Sequence, residues 1–383
     1  MEKADAFKAI SLFSGAQGLD VGLGLAGINI VLGQDVEPSC IATMTANGHR
    51  GVLGDIRTMQ AETLLAETGM VPGEPFLVCG GPPCQPFSTA GKRLGVNDPK
   101  GGGSLFRDFA RMVDGMRPRF FVMENVKGLL SAKLKDADGK DTNTRIIDLV
   151  LETFEKLGYK TVYGLLDAVN YGVPQFRERF VMIGSRDNES IFLPIPTHFQ
   201  IHQTPEYRWQ TLGDTIRDIE LNPGPCDVFT QGRLQYLCMV PEGGNWRDLP
   251  DDIRRKAMGG AYNSGGGKVG FYRRLSYSQP SPTIVTSPTQ KATMMCHPTQ
   301  NRPLSVAEYA RIQQFPDDWV ITGTLAQQYR QIGNAVPVGL AKAIGEAIVS
   351  VALGTSEVKV KRTRGTGIHN RLQEAMRLVE ESN

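Results

Sequence analysis

The sequence predicts a doubly wound α/β domain with a mostly parallel sheet, joined to a smaller, irregular second domain. Three observations lead there. Short apolar runs alternate with longer helical patterns over the first two hundred residues. Chemically unusual residues fall where the runs end, and the rhythm stops near residue 190. Runs of four or five apolar residues have the length of buried parallel strands, whereas helical patterns repeat over longer windows.

Apolar runs at 9–13, 28–32, 76–79, 120–123 and 180–183 read as strands. Helical patterns at 105–116 and 144–157 lie between them, the second followed by Gly158 as a helix C-terminus requires. Beyond 190, Pro194, Pro196, Pro205, Pro223, Pro225, Pro241 and Pro250 punctuate the chain, and residues 259–267 are glycine-dense. Helical patterns return at 305–314 and 338–351. A basic stretch covers 358–364, and 370–381 carries a terminal helical pattern.

A chain of 383 residues exceeds one ordinary small domain, and 40% hydrophobic with 21% charged residues can bury a large core. A net charge of +2 neither demands nor excludes a nucleic-acid partner, since a basic groove can sit on a nearly neutral protein. The six cysteines form no Cys-x-x-Cys pair and no histidine is spaced for zinc, so free thiols and no metal are expected. Residues 1–11 lack the apolar core of a signal peptide, and no run approaches the roughly 18 apolar residues of a membrane span. A cytoplasmic protein without a membrane partner is expected.

In open α/β sheets, ligands bind beyond the carboxyl ends of the strands. Those ends here carry Ser14-Gly15, Asp35, residues 80–85 and Glu124-Asn125. Phe13-Ser14-Gly15-Ala16-Gln17-Gly18 is a glycine turn opening a helix. Asp35 follows Gly15 by 20 residues, about the offset at which an acid meets ribose hydroxyls. An adenosine-containing cofactor is therefore expected. Gly22, Gly24 and Gly27 also spell Gly-x-Gly-x-x-Gly, but lie too far past the strand to make a dinucleotide turn.

Cys84 follows Pro82 and Pro83, which disfavour helix and present the thiol on a loop. Gly91, Lys92, Arg93, Gly95 and the triplet 101–103 extend that loop into a cationic segment suited to a polyanion. Cys40, Cys79, Cys226, Cys238 and Cys296 read instead as small buried hydrophobes. Glu124 ends an apolar strand, where desolvation should raise its pKa and favour proton donation.

These residues resemble the cytosine-5 DNA methyltransferase family. The resemblance rests on Phe13-Ser14-Gly15 with Gly18, residues 80–88 around Cys84, Glu124-Asn125-Val126, and Gln175-Phe176-Arg177-Glu178-Arg179. It continues through Arg302-Pro303-Leu304-Ser305 with Glu308, and through residues 331–337, all in family order across residues 7–352. It implies a Rossmann-like domain that uses S-adenosylmethionine, formed by residues 1–190 and 320–355. Residues 191–305 would be a target-recognition domain, 306–319 a connector and 356–383 a basic tail. Asp35 would bind the ribose, Val36 lie against the adenine, and Asp55 and Ile56 meet its edge. Phe13, Ser14, Gly15, Gly18, Leu19, Pro82, Leu105, Asn334 and Ala335 would complete the cofactor site. The family more often has Glu at the Asp35 position and a larger residue at Val36.

The implied reaction starts with Cys84 adding to C6 of a flipped-out cytosine, assisted by Glu124, Arg177 and Arg179. Ser88, Lys92, Arg93, Arg273 and Arg274 would contact double-stranded DNA. The bacterial restriction-modification type implies a partner endonuclease, and a monomer is expected. A tRNA methyltransferase of the same fold would carry Cys-Phe-Thr-x-x-Tyr; the nearest string, Cys226-Asp227-Val228-Phe229-Thr230, does not match. An inactive DNA-binding homologue would not need Cys84, Glu124, Arg177 and Arg179 together. A thymidylate-synthase-like enzyme would not need the glycine turn with Asp35.

Overall fold

The computed structural model describes residues 7–83, 105–135, 141–263 and 268–355. Its strands are β1 (Lys8–Leu12), β2 (Asn29–Asp35), β3 (Gly51–Leu53), β4 (Leu77–Gly80), β5 (Phe120–Val126), β6 (Lys133–Lys135), β7 (Asp141–Arg145), β8 (Lys160–Asp167) and β9 (Glu178–Ser185). Seven of them form one sheet in the order β3-β2-β1-β4-β5-β9-β8, and β6 pairs with β7 as a separate ribbon. Every pairing from β3 to β5 is parallel, while β9 runs antiparallel to both β5 and β8. The predicted mostly parallel sheet is present. The short β3 and the partly exposed β8 carry too little apolar sequence to stand out.

Alternation along the central strands divides the core between two faces. Ile10, Leu12, Val78, Phe121 and Met123 pack on one side with α3 (Ala61–Thr68), α4 (Leu105–Met116) and α5 (Ile146–Lys156). Ala9, Leu77, Cys79, Phe120 and Val122 face the other side, against α1 (Gly18–Leu25) and α11 (Val338–Leu353). Helix α4 shows the reason in miniature: Phe106, Phe109, Ala110, Val113 and Met116 are buried at helical spacing. Helix α2 (Pro38–Ala46) flanks β2 and β3.

The contact of α1 with α11 depends on glycine. A Cβ at Gly18 would collide with the Val336 carbonyl, and one at Gly22 with the Val338 carbonyl and Ala341. Of the spurious glycine motif only Gly22 has this packing role; Gly24 lies inside α1 facing open space, and Gly27 follows the helix with a positive φ. The stretch Leu325–Leu353 is apolar on average but is interrupted by Arg330, Asn334, Lys342 and Glu346. It comprises two helices, α10 (Leu325–Asn334) and α11, and half of its most apolar 18-residue window is buried inside the protein.

Residues 191–305 contain short helices α6 (Leu212–Ile216), α7 (Gln231–Leu237) and α8 (Asp251–Met258), and no named strand among the described residues. One small cluster, including Phe229, Leu237, Tyr272, Met294 and Cys296, belongs to this region alone. A second joins Leu212, Tyr277 and Ile284 to α9 (Val306–Ile312), α10 and Ala16. Tyr309, Ile312 and Phe315, within the expected connector 306–319, take part in this second cluster. Cys40, Cys79 and Cys296 are buried as expected, but Cys238 is exposed.

Arg274 corrects the DNA-contact expectation. It is 4% exposed, and its guanidinium donates to the carbonyls of Leu237, Val240, His297 and Gln300 and to Asn301 Oδ1. All five N–H donors are engaged, so none remains for phosphate. Arg273 is half-buried and donates through Nε to the Met294 carbonyl at 3.0 Å. Both arginines brace the irregular region. Arg274→Met should lower stability by about 3 kcal/mol, because buried carbonyls lose their donors. Thermal denaturation checks this, and an unchanged Tm would contradict the bracing role.

Candidate active site

A cavity of about 680 Å³ opens beyond the carboxyl ends of β1, β2, β4 and β5, within the size range of cofactor sites. Phe13, Ser14, Gly15, Gly18, Leu19, Asp35, Val36, Asp55, Ile56, Pro82, Leu105, Glu124, Arg177, Arg179, Asn334 and Ala335 all line it. Sequence positions from Phe13 to Ala335 thus converge on one space.

The turn after β1 is held open by backbone that L-residues rarely adopt. Phe13 and Gly15 have φ of 55° and Gln17 has φ of 68°. The Gly15 N–H donates to Asp35 Oδ2 at 2.8 Å, and the Glu37 N–H donates to Asp35 Oδ1 at 2.9 Å. Burial raises the Asp35 pKa, while those N–H groups oppose the rise. Each carboxylate oxygen keeps a lone pair for a ligand hydroxyl. Val36 is 56% exposed and presents an apolar surface to the cavity. Asp55 is paired with Arg57, which holds its carboxyl below the usual range. Turn, acid and apolar wall together suit an adenosine-bearing ligand.

At the opposite end, Arg179 Nε lies 2.8 Å from Glu124 Oε1, with both side chains nearly buried. Strands β5 and β9 place them there through the antiparallel register Val126↔Arg179 and Glu124↔Val181. Burial raises the Glu124 pKa, with Arg179 and Arg177 opposing it. Gly81 makes room: a Cβ there would stand 2.8 Å from Glu124 Oε2. Asn125 Nδ2 donates to the Pro82 carbonyl at 2.8 Å and fixes the chain leading toward Cys84. Cys84, Ser88, Lys92 and Arg93 lie outside the described residues.

Arg177, expected to support either the loop or the base, is 1% exposed and committed to the backbone. It donates to the carbonyls of Ile284 (3.1 Å), Gly333 (2.8 Å) and Ala335 (3.0 Å). Burial lowers its pKa to about 9. Gln313 donates to the Ile332 and Ala335 carbonyls, and Gln175 bridges Gln313 to the Ile284 N–H. Arg177 is thus a positioning residue that fixes the turn carrying Asn334.

Sequence reasoning missed Asp20. It lines the cavity yet is only 2% exposed, accepting from Ser11 Oγ at 2.6 Å and Gln17 Nε2 at 3.2 Å. Its position in the first turn of α1 resembles an ordinary helix-start acid, so the sequence carries no sign of its burial. Desolvation raises its pKa from 3.8 to about 6. The folded state therefore binds more protons between those values, and stability falls as pH rises through that window. The unfolding free-energy difference between wild type and Asp20→Asn should shift toward wild type on acidification from pH 7 to pH 4, by about 2 kcal/mol, read by chemical denaturation at each pH. A pH-independent difference would contradict the burial.

Comparison with known proteins places this geometry. Residues 7–350 match the family described as C-5 cytosine-specific DNA methylase. A relative, the Type II methyltransferase M.PspPI of Psychrobacter sp. (strain TA137), is 38% identical over 359 residues, covering 91% of this chain and 80% of that protein. M.Sau96I of Staphylococcus aureus is 37% identical over 345 residues, covering 90% and 76%. Among solved structures, a prophage-encoded DNA modification methyltransferase of E. coli has the same fold at a TM-score of 0.60. Identity there is 20%, with 91% of this chain and 99% of that one covered.

Proposed function

The chain belongs to the C-5 cytosine-specific DNA methylases, and we propose that it methylates a flipped-out cytosine in a specific duplex sequence through a Cys84 adduct. S-adenosylmethionine is the proposed donor. The observation that carries the reading is the buried Glu124–Arg179 pair, set on the same cavity as the Gly15–Asp35 cradle.

The residues present fit that donor. Asp35 would take the ribose, Val36 and Ile56 the adenine faces, and Asp55 its edge. The turn from Phe13 to Leu19, with Pro82, Leu105, Asn334 and Ala335, would enclose the remainder. When bound, the donor supplies an electrophilic methyl group.

Cytosine C5 is a poor nucleophile until a group adds at C6. The Cys84 thiolate forms a bond to C6, and the displaced electron pair moves toward N3. Glu124 delivers a proton to N3, a role favoured by its raised pKa and by the further loss of water when a base enters. Arg179 has donors beyond those given to Glu124 and the Glu178 carbonyl, and these can hold O2. After methylation the N3 proton returns to Glu124, C5 loses its own proton to solvent and Cys84 leaves as thiolate, restoring the C5–C6 double bond. Glu124 is 8% exposed, so a base still stacked in a duplex cannot reach it.

Residues 191–305 are the proposed recognition region, and Ser88, Lys92 and Arg93 the proposed phosphate contacts. A cognate restriction endonuclease as companion and a cytoplasmic setting are part of the same proposal, alongside relatives named Type II methyltransferases. A single copy is the proposed working unit.

Bisulfite sequencing of DNA from a host expressing the protein tests the reading. Wild type should protect cytosine in one sequence context, and Cys84→Ser should protect none. Exchanging residues 191–305 for a relative's should move the protected context. Full protection by Cys84→Ser would refute the nucleophile, and an unmoved context would refute the recognition region.

A further inference from the structure

Four arginines line the cavity: Arg57, Arg177, Arg179 and Arg330. Three are committed. Arg57 pairs with Asp55, Arg177 donates to three carbonyls, and Arg179 pairs with Glu124. Arg330 is exposed, and none of its donors has a partner among the described residues. The same cavity is lined by Asp20, Asp35, Glu37, Asp55 and Glu124. A donor with a sulfonium, an ammonium and one carboxylate would thus meet several acids and, among the described residues, a single uncommitted cation.

The position of Arg330 on α10 strengthens this. Gln327, Arg330, Gln331 and Asn334 all line the cavity, at i, i+3, i+4 and i+7 of one helical face. Gln331 is locked by Thr43 at 2.7 Å and by the Thr322 carbonyl at 2.8 Å. Gln327 Oε1 closes the capping box with Thr324. That leaves Arg330 and Asn334, four residues apart, with Cβ atoms about 6 Å from each other. The C-terminal end of this face abuts the glycine turn, since Gly18 sits against Ala335 and Val336. The competing anion site, the N-terminus of α1, is weakened: Asp20 lies in its first turn, and the Gly15 N–H is already given to Asp35.

We propose that Arg330 binds the carboxylate at the amino-acid end of the methyl donor. This rests on the cofactor reading above and adds a binding residue outside the strand-end motifs. Arg330 makes the site select donors that carry the carboxylate over decarboxylated sulfonium nucleosides.

Isothermal titration without DNA tests it, using S-adenosylhomocysteine and its decarboxylated counterpart as probes. Wild type should bind the carboxylate-bearing ligand more tightly. Arg330→Gln should weaken that ligand on the order of tenfold and leave the decarboxylated one unchanged, with Arg330→Lys partly restoring the difference. Equal weakening of both ligands, or of neither, would overturn the assignment while leaving the cofactor reading intact. Unchanged ligand affinity with a DNA-binding salt slope reduced by about one would make Arg330 a phosphate contact, and so also overturn it. If wild type binds neither probe, the cofactor reading itself fails.

Discussion

The close approach of α1 to the segment beginning α11 organises the molecule. At Gly18 and Gly22 the backbone of residues 336–342 occupies the space a side chain would need. The final helix therefore completes the layer beside β1, and a turn from the far end of the chain forms a wall of the first strand's cavity. Leu19, Leu23, Leu340, Ala341 and Ile344 convert that approach into a buried apolar contact. Arg177, Gln175 and Gln313 then secure the turn with buried hydrogen bonds that also reach Ile284 in the irregular region. Cavity wall and proposed recognition region share one polar latch.

Desolvation sets the chemistry of the space so formed. It raises the pKa of Asp20, Asp35 and Glu124 and lowers that of Arg177 and Arg179. The outcomes differ because the partners differ. Asp35 is given two backbone N–H groups and serves as a fixed acceptor. Glu124 has Arg179 beside it and room left by Gly81, the setting that the proposed proton transfer requires. Asp20 faces Ser11 and Gln17 and acts on the turn, and its burial works against stability at neutral pH.

Much of the sheet was legible because buried parallel strands are continuous apolar runs, as at Leu77–Gly80 and Phe120–Val126. Strand β8 was not, since five of its eight positions are only half-buried and it carries no such run. In the site, residues marked by backbone need were readable: Gly15 by its turn and Asp35 by its spacing. Side-chain commitments were not. Arg274 reads as a DNA contact and Arg177 as a support for loop or base, and only three-dimensional packing shows their donors spent on carbonyls. Asp20 and Arg330 sit on ordinary helices, and their importance comes from which face meets the cavity.

The central claim is that Cys84 adds to C6 of cytosine beside Glu124. The most direct measurement is mass spectrometry of the intact protein after incubation with S-adenosylmethionine and duplex DNA in which 5-fluorocytosine replaces cytosine. Fluorine at C5 cannot leave as a proton, so the adduct should persist. The account predicts a covalent protein–DNA species whose peptide map places the modification on Cys84. Turnover of ordinary DNA with no trapped species, or an adduct on another residue, would contradict it.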